Sequence, residues 1–315
     1  MSLKHIESNT GLIETKSGVL EWYWFDPARS QVNPLGTWLH KQQGCHTEFY
    51  RDGSEQQIMS LIRKVLQESK TWLYGSFVND RRDIGMKQAI ISFSFDDVPS
   101  SAVEKGIAIL DRHSVKATFY ISSGLAMGDE QANAEIGESY LGREDIVQLD
   151  KAGHDIGCHT YSHYRLTEGN AEKFAEDASR NVRILSGWLG GKPIEHFSYP
   201  FGLVDFKSKR RLSQHYKTLR SSRPGINQKG TDLYLLRGTS LYNPSFDQAA
   251  IQRVINNTVT SGGWLVFYTH GVDDNPGDYD CTPQQLEWVL EQAVASGARL
   301  LPVADAYDLI NGNRQ

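Results

Sequence analysis

The chain has 315 residues, longer than one average domain, and 39% of them are hydrophobic and 23% charged, enough apolar material for a large core. Its net charge is -5 and no Lys/Arg-rich block occurs, so nothing points to nucleic acid or to an anionic membrane surface as a partner. Cys45, Cys158 and Cys281 are too few and too scattered for a disulfide framework or a CxxC metal site and read as buried thiols. No apolar run reaches membrane-spanning length. The start Met1-Ser2-Leu3-Lys4-His5 lacks the apolar core of a signal peptide, so the chain as written reads as cytoplasmic, although a removed export signal would look the same.

Residues 1–86 read as an N-terminal extension of mixed strands and one helix. They hold Trp22, Trp24, Trp38 and Trp72, four of the seven tryptophans, among turn signals at Asp26-Pro27, Asn33-Pro34 and Asp52-Gly53. The helix is expected over residues 54–69, with Ser54 as its N-cap. So many aromatic side chains call for burial against the rest of the protein, with a sugar-stacking surface as the alternative.

From residue 87 the pattern changes to short apolar runs alternating with helical periodicity. Strands are expected at 89–95, 115–121, 154–158, 194–199, 216–219, 234–238, 264–269 and 299–301. Helices are expected at 101–113, 143–152, 171–189, 206–215, 247–261 and 283–296. A strand followed by a helix and then another strand implies parallel pairing, because the crossover must carry the chain back. Seven or eight such units predict an α/β fold, a (β/α) TIM-like barrel over residues 87–315, with an open doubly wound sheet as the competitor. No G-x-G-x-x-G follows a strand, which disfavours nucleotide binding.

Four polar motifs fall where predicted strands end: Asp96-Asp97, His159 with His163, Ser198-Tyr199-Pro200-Phe201-Gly202, and His270. In a parallel barrel those ends converge on one face, where active sites form. Each motif has a structural explanation of its own. Asp97 could cap a helix, a His-x-x-x-His pair can arise by chance, and His270 could be a hydrogen-bonded turn residue. Capping does not explain why polar residues recur at the same end of successive strands. Two imidazoles and a carboxylate can hold a cation such as zinc and leave room for water and substrate. A second carboxylate can take a proton from that water, and another histidine can protonate the leaving group.

The motifs Ser94-Phe95-Asp96-Asp97, His159-Thr160-Tyr161-Ser162-His163 and Phe197-Ser198-Tyr199-Pro200-Phe201-Gly202, followed by His270, resemble those of the polysaccharide deacetylases. These form carbohydrate esterase family four, with the NodB-homology domain, and the resemblance covers residues 87–311. It implies a distorted (β/α) barrel that removes N- or O-acetyl groups from a polysaccharide or oligosaccharide. It implies Asp96 as general base, Asp97, His159 and His163 as ligands of a divalent metal, zinc in the first instance, and His270 as general acid. The Phe201 backbone N–H would donate to the oxyanion.

The chain also departs from that family. Many members carry, where Ser198 stands, an arginine that holds the base; Arg220 or Arg223 could replace it from the next strand. Tyr268 occupies a place where a leucine commonly lines the acetyl pocket, and no acidic motif that tunes the acid histidine is evident. Two other functions remain open: a deformylase or cyclic-amide hydrolase using the same metal site, and a carbohydrate-binding protein with a decayed site.

Overall fold

The computed structural model describes residues 10–14, 20–26, 31–38, 78–132 and 139–312. The chain divides into two compact units, Met1–Ser60 and Leu61–Gln315.

In the first unit β1 (Thr10–Glu14), β2 (Leu20–Asp26) and β3 (Gln31–Trp38) form an antiparallel sheet in the order β1-β2-β3. Pro34 lies opposite Tyr23 on β3, which pairs on one side only, so its missing N–H costs no ladder bond. Trp22 pairs with Gly36, which leaves Leu35 as the extra residue of a bulge. The side chains of Trp22, Trp24 and Trp38, together with Cys45, Trp72 and the helix expected over 54–69, lie outside the described residues.

The second unit opens with the short β4 (Arg81–Arg82) and then the long β5 (Ile90–Asp97). It continues through β6 (Thr118–Ile121), β7 (Asp155–Cys158), β8 (His196–Ser198), β9 (Thr218–Arg220) and β10 (Thr231–Asp232). It ends with β11 (Thr239–Ser240), β12 (Trp264–Thr269) and β13 (Arg299–Leu300). A parallel sheet runs in the order β11-β12-β5-β6-β7-β8-β9, and β4 and β10 form a separate antiparallel pair. Arg220 on β9 makes a parallel bridge to Leu236, just before β11, so the sheet curls until its two edges meet. The ring is distorted at β5, whose lower residues Ile90 and Ile91 pair with β13 while Ser94–Asp97 pair with β6. The predicted (β/α) barrel is therefore present, in distorted form, rather than an open sheet.

Alternation along β5 sorts the interior from the helix-facing side. Ile91, Phe93 and Phe95 join a cluster with Phe119, Ile156, Phe197, Phe267 and the surrounding helices, among them Ala171–Trp188 and Pro283–Ala295. Ile90 joins a second cluster at the base with Ile84, Leu233, Leu236, Trp264 and Val266, closed by Val303, Ala306 and Ile310. Trp264 is fully buried and its indole N–H donates to Ser92 Oγ at 2.9 Å, so the base carries no orphaned indole donor. Higher in the interior Tyr120 lies over Gly157, where a Cβ would come within 2.5 Å of the Tyr120 ring. A larger residue at 157 would push that ring out.

Besides short elements that the sequence did not suggest, two larger differences from the sequence expectation stand out. Residues 234–238 do not form a strand: Leu233–Leu235 is a 3₁₀ turn capped by the Asp232 carboxylate, which accepts from Tyr234 N–H at 3.0 Å. The buried residues Leu233 and Leu236 are three apart, the period of that turn rather than of a strand. A C-terminal helix, Val303–Gly312, follows Pro302 and presents Val303, Ala306 and Ile310 as its buried stripe. No described helix is long and apolar enough to cross a membrane.

Candidate active site

The end of β5 is strained. Asp97 and Val98 both have positive φ, 56° and 63°, and Val98 N–H turns back to the Asp96 carbonyl. Left-handed backbone at a β-branched residue costs on the order of 1–3 kcal/mol and persists only where surrounding packing enforces it. Val98 is fully buried. Among the described residues six non-glycines have positive φ: Asp97, Val98, Thr160, His163 and Phe201 at this site, and Ser114 elsewhere. The kink sends the two aspartates to different surroundings.

Asp97 faces the end of β7. His159 Nε2 and His163 Nε2 each lie 3.6 Å from Asp97 Oδ1, and one ligand atom from each of the three buried residues falls within 4.8 Å of the others. Three ligands about 2.1 Å from a tetrahedral centre would be roughly 3.4 Å apart, so these separations fit a common cation. The His159 tautomer fits as well. Its Nδ1 is 2.8 Å from the Ser198 carbonyl, which can only accept, so the proton sits on Nδ1 and Nε2 keeps its lone pair. Burial, aided by His163 and Arg220, depresses the His159 pKa to about 3 and keeps the ring neutral. The loop between the histidines is pinned by Asp177, whose carboxylate accepts from Tyr161 N–H at 2.7 Å, Ser162 N–H at 3.0 Å and Ser162 Oγ at 3.0 Å. Nothing in the helical pattern around Asp177 signals that role.

Asp96 points into the barrel and is almost fully buried. Arg220 Nη2 donates to its Oδ2 and to Ser198 Oγ, and Ser198 Oγ lies 3.4 Å from the same carboxylate oxygen. Asp96 Oδ1 has no hydrogen-bond partner among the described residues. Burial would raise the Asp96 pKa, but the charge and hydrogen bond of Arg220 hold it below the usual carboxylate range. Of the two arginines suggested by the sequence, Arg220 reaches Asp96, whereas Arg223 lines a separate cavity. Ser198 and Arg220 are register partners on adjacent strands, so a cation from β9 reaches the space above a small residue on β8. Arg220 is fixed from its other side by the Tyr268 ring, 4.3 Å from the guanidinium carbon, and by Tyr120 at 5.4 Å. Tyr268 is thus part of the arginine's cradle.

His270 directly follows β12, with Nε2 3.7 Å from Asp97 Oδ2. Its Nδ1 lies 3.3 Å from the Tyr279 carbonyl, which also accepts the His270 backbone N–H at 3.1 Å. The ring packs beside Tyr242 and Tyr279, and Asp280 ties the loop by accepting from Gly271 N–H at 2.6 Å and Gly277 N–H at 3.0 Å. Tyr279 and Asp280 come from the loop that follows His270 and Tyr242 from the one after β11, and none is apparent in the motif. Phe201 sits in the turn Pro200–Gly202 with φ 57°; its ring covers His163 at 4.4 Å and is 46% exposed, so it forms part of the rim. Gly202 is also left-handed, and any Cβ there would collide with Ser222.

The structure therefore brings Asp96, Asp97, His159, His163, Phe201 and His270 to one end of the barrel. The polysaccharide deacetylase family model matches residues 83–218, which include all of these except His270, and stops two residues before Arg220. A bifunctional xylanase/deacetylase from Pseudobutyrivibrio xylanivorans is 31% identical over 223 residues, 70% of this chain and 31% of that protein. A peptidoglycan-N-acetylglucosamine deacetylase from Listeria monocytogenes is 32% identical over 117 residues, 36% of this chain and 22% of its own length. These curated relatives are matched over less than a third of their length. Among solved structures, one from Mycobacterium smegmatis assigned to the polysaccharide deacetylases superposes with a TM-score of 0.51 at 15% identity, over 75% of this chain and 96% of that one. Motifs, family match and distorted barrel agree, and the barrel of this chain belongs to the polysaccharide deacetylase family.

Proposed function

We propose that the chain hydrolyses acetyl groups, N-acetyl in the first instance, from an acetylated polysaccharide or oligosaccharide. Asp97, His159 and His163 would hold a divalent cation, and their two-nitrogen, one-oxygen donor set suits zinc. A cation bound there would polarise the acyl oxygen and acidify a water. The observation that carries the reading is the division of labour between neighbouring aspartates. Asp97 faces two imidazoles, while Asp96 faces an arginine and keeps one buried carboxylate oxygen without a partner among the described residues.

Asp96 would take a proton at that oxygen, with Arg220 and Ser198 holding the other in place and keeping the carboxylate ionised at neutral pH. His270 Nε2 would deliver a proton to the leaving amine or alkoxide, its ring oriented through Nδ1 by the Tyr279 carbonyl. The Phe201 N–H would donate to the developing oxyanion, since its left-handed turn stands beside His163 at the rim. The peptidoglycan-N-acetylglucosamine deacetylase among the relatives makes N-acetylglucosamine oligomers the first substrate to try. The test is acetate release from such oligomers and from acetylated xylan, with chelator and after metal is restored. Chelator-sensitive acetate release is expected; no acetate from either substrate by the metal-replete protein would overturn the reading.

A further inference from the structure

A second concavity of about 610 Å³ lies in the barrel unit, lined by Arg81, Arg223, Lys229, Arg237 and Asp232 among others. Its charge is unbalanced. Asp232 is already engaged, accepting from the buried Lys209 ammonium, from Asp80 N–H at 3.2 Å and from Tyr234 N–H at 3.0 Å. Arg223, Lys229 and Arg237 make no ion pair with a carboxylate among the described residues. Arg237 lies beside Gly225 and donates to the Pro224 carbonyl at 3.1 Å. It is half-buried, so water only partly screens it from Arg223; both burial and Arg223 disfavour its charged form. Cations gathered in one concavity raise the local potential for an anion, and guanidinium groups match the two oxygens of a carboxylate or phosphate.

We propose that this cavity binds an oxyanion group, a carboxylate or phosphate, carried by an acidic glycan. The glycan identity rests on the deacetylase reading. It is favoured because Arg223 is reached through Ser222, which packs against Gly202 beside Phe201, so the cavity and the active-site rim share one loop contact. A polymer lying across that loop could present an acetylated sugar to Asp96 and a charged group to Arg223 and Arg237.

The test uses the full chain and calorimetric titration at low ionic strength with inorganic phosphate, tetragalacturonate and neutral chitotetraose. Acetate release from chitotetraose is measured in parallel. Saturable binding of phosphate or of tetragalacturonate is expected, and which of them binds identifies the charged group. The binding should weaken with salt. Arg237→Gln and, because Arg237 also holds the Pro224 carbonyl, the exposed Lys229→Glu should each weaken it about tenfold or more. Both variants should release acetate from chitotetraose at the wild-type rate. No binding of either anion, unchanged affinity in both variants, or tighter binding of a mixed-sequence oligonucleotide than of tetragalacturonate would overturn the proposal. Absent acetate release with anion binding still lost in the variants would instead count against the deacetylase reading alone.

Discussion

The two ends of the barrel are built from the same strands and serve opposite ends. At the base, Ile90 and Trp264 open β5 and β12, pack with Val266, Leu233 and Leu236, and leave Ser92 Oγ to accept the indole N–H. At the rim, the same two strands deliver Asp96, Asp97 and His270 into a polar cluster with left-handed non-glycine backbone and a buried carboxylate oxygen that has no partner among the described residues. The lesson is that an apolar, well-packed base can hold strained and desolvated groups at the rim that would not be tolerated alone.

The largest expected effect comes from breaking the base. Trp264→Ala should cost about 3–5 kcal/mol of stability, read from denaturant unfolding, because it empties a large buried volume and orphans Ser92. If the rim were self-sufficient, metal affinity of the folded variant would be unchanged; a concurrent loss would show that the base enforces the rim. Next is Arg220→Met, which leaves the buried Asp96 without its cation. Acetate release should fall by ~10²-fold, the scale expected when a general base is displaced. Metal content should remain, because Arg220 touches neither Asp97 nor the histidines' ligating atoms.

A smaller effect concerns pH. Burial depresses His154 and His196, at the start of β7 and in β8, to about 4 in the folded chain. Between the unfolded value near 6.5 and 4, each imidazole binds a proton more readily when unfolded. Stability is therefore full above about pH 6.5 and falls as pH drops, by up to roughly 1.4 kcal/mol per pH unit per histidine. His159, held at about 3 by burial, acts with the same sign, while Asp155, raised to about 6 by burial, works in the opposite direction between 4 and 6 and offsets about one of the three. His154→Phe should flatten the stability profile from pH 6.5 to 4; an unchanged slope would contradict the burial account. The smallest effect is expected at Phe201→Ala. The oxyanion donor proposed there is backbone, so the rate should change by less than about tenfold, with KM affected more than kcat as the half-exposed ring is lost from the rim.

Much of the rim is legible in the sequence because a parallel barrel gathers strand ends, and a polar residue closing an apolar run marks each one. Asp97, His159 and His163 meet for that reason. The arginine that holds Asp96 was only half legible, since Arg220 and Arg223 look alike in the chain and only the Ser198–Arg220 register separates them. The cradle of His270 was not legible. Tyr242 and Tyr279 reach it from loops whose paths no periodicity encodes. The strand expected at 234–238 failed because a capping carboxylate at Asp232 and apolar residues three apart favour a turn over an extended run. The helix Val303–Gly312 was readable in principle, from Pro302 and a stripe of Val303, Ala306 and Ile310.

The proposed mechanism gives two adjacent aspartates different roles, and one paired measurement tests that division: metal content and acetate release of Asp96→Asn and Asp97→Ala beside the parent chain. Asp96→Asn should keep its metal and lose activity by at least ~10²-fold, with no rescue by added metal. Asp97→Ala should lose the metal or bind it weakly, with partial recovery of acetate release at high metal concentration. Equal metal loss in the two variants, or an Asp96→Asn protein that remains fully active, would contradict it.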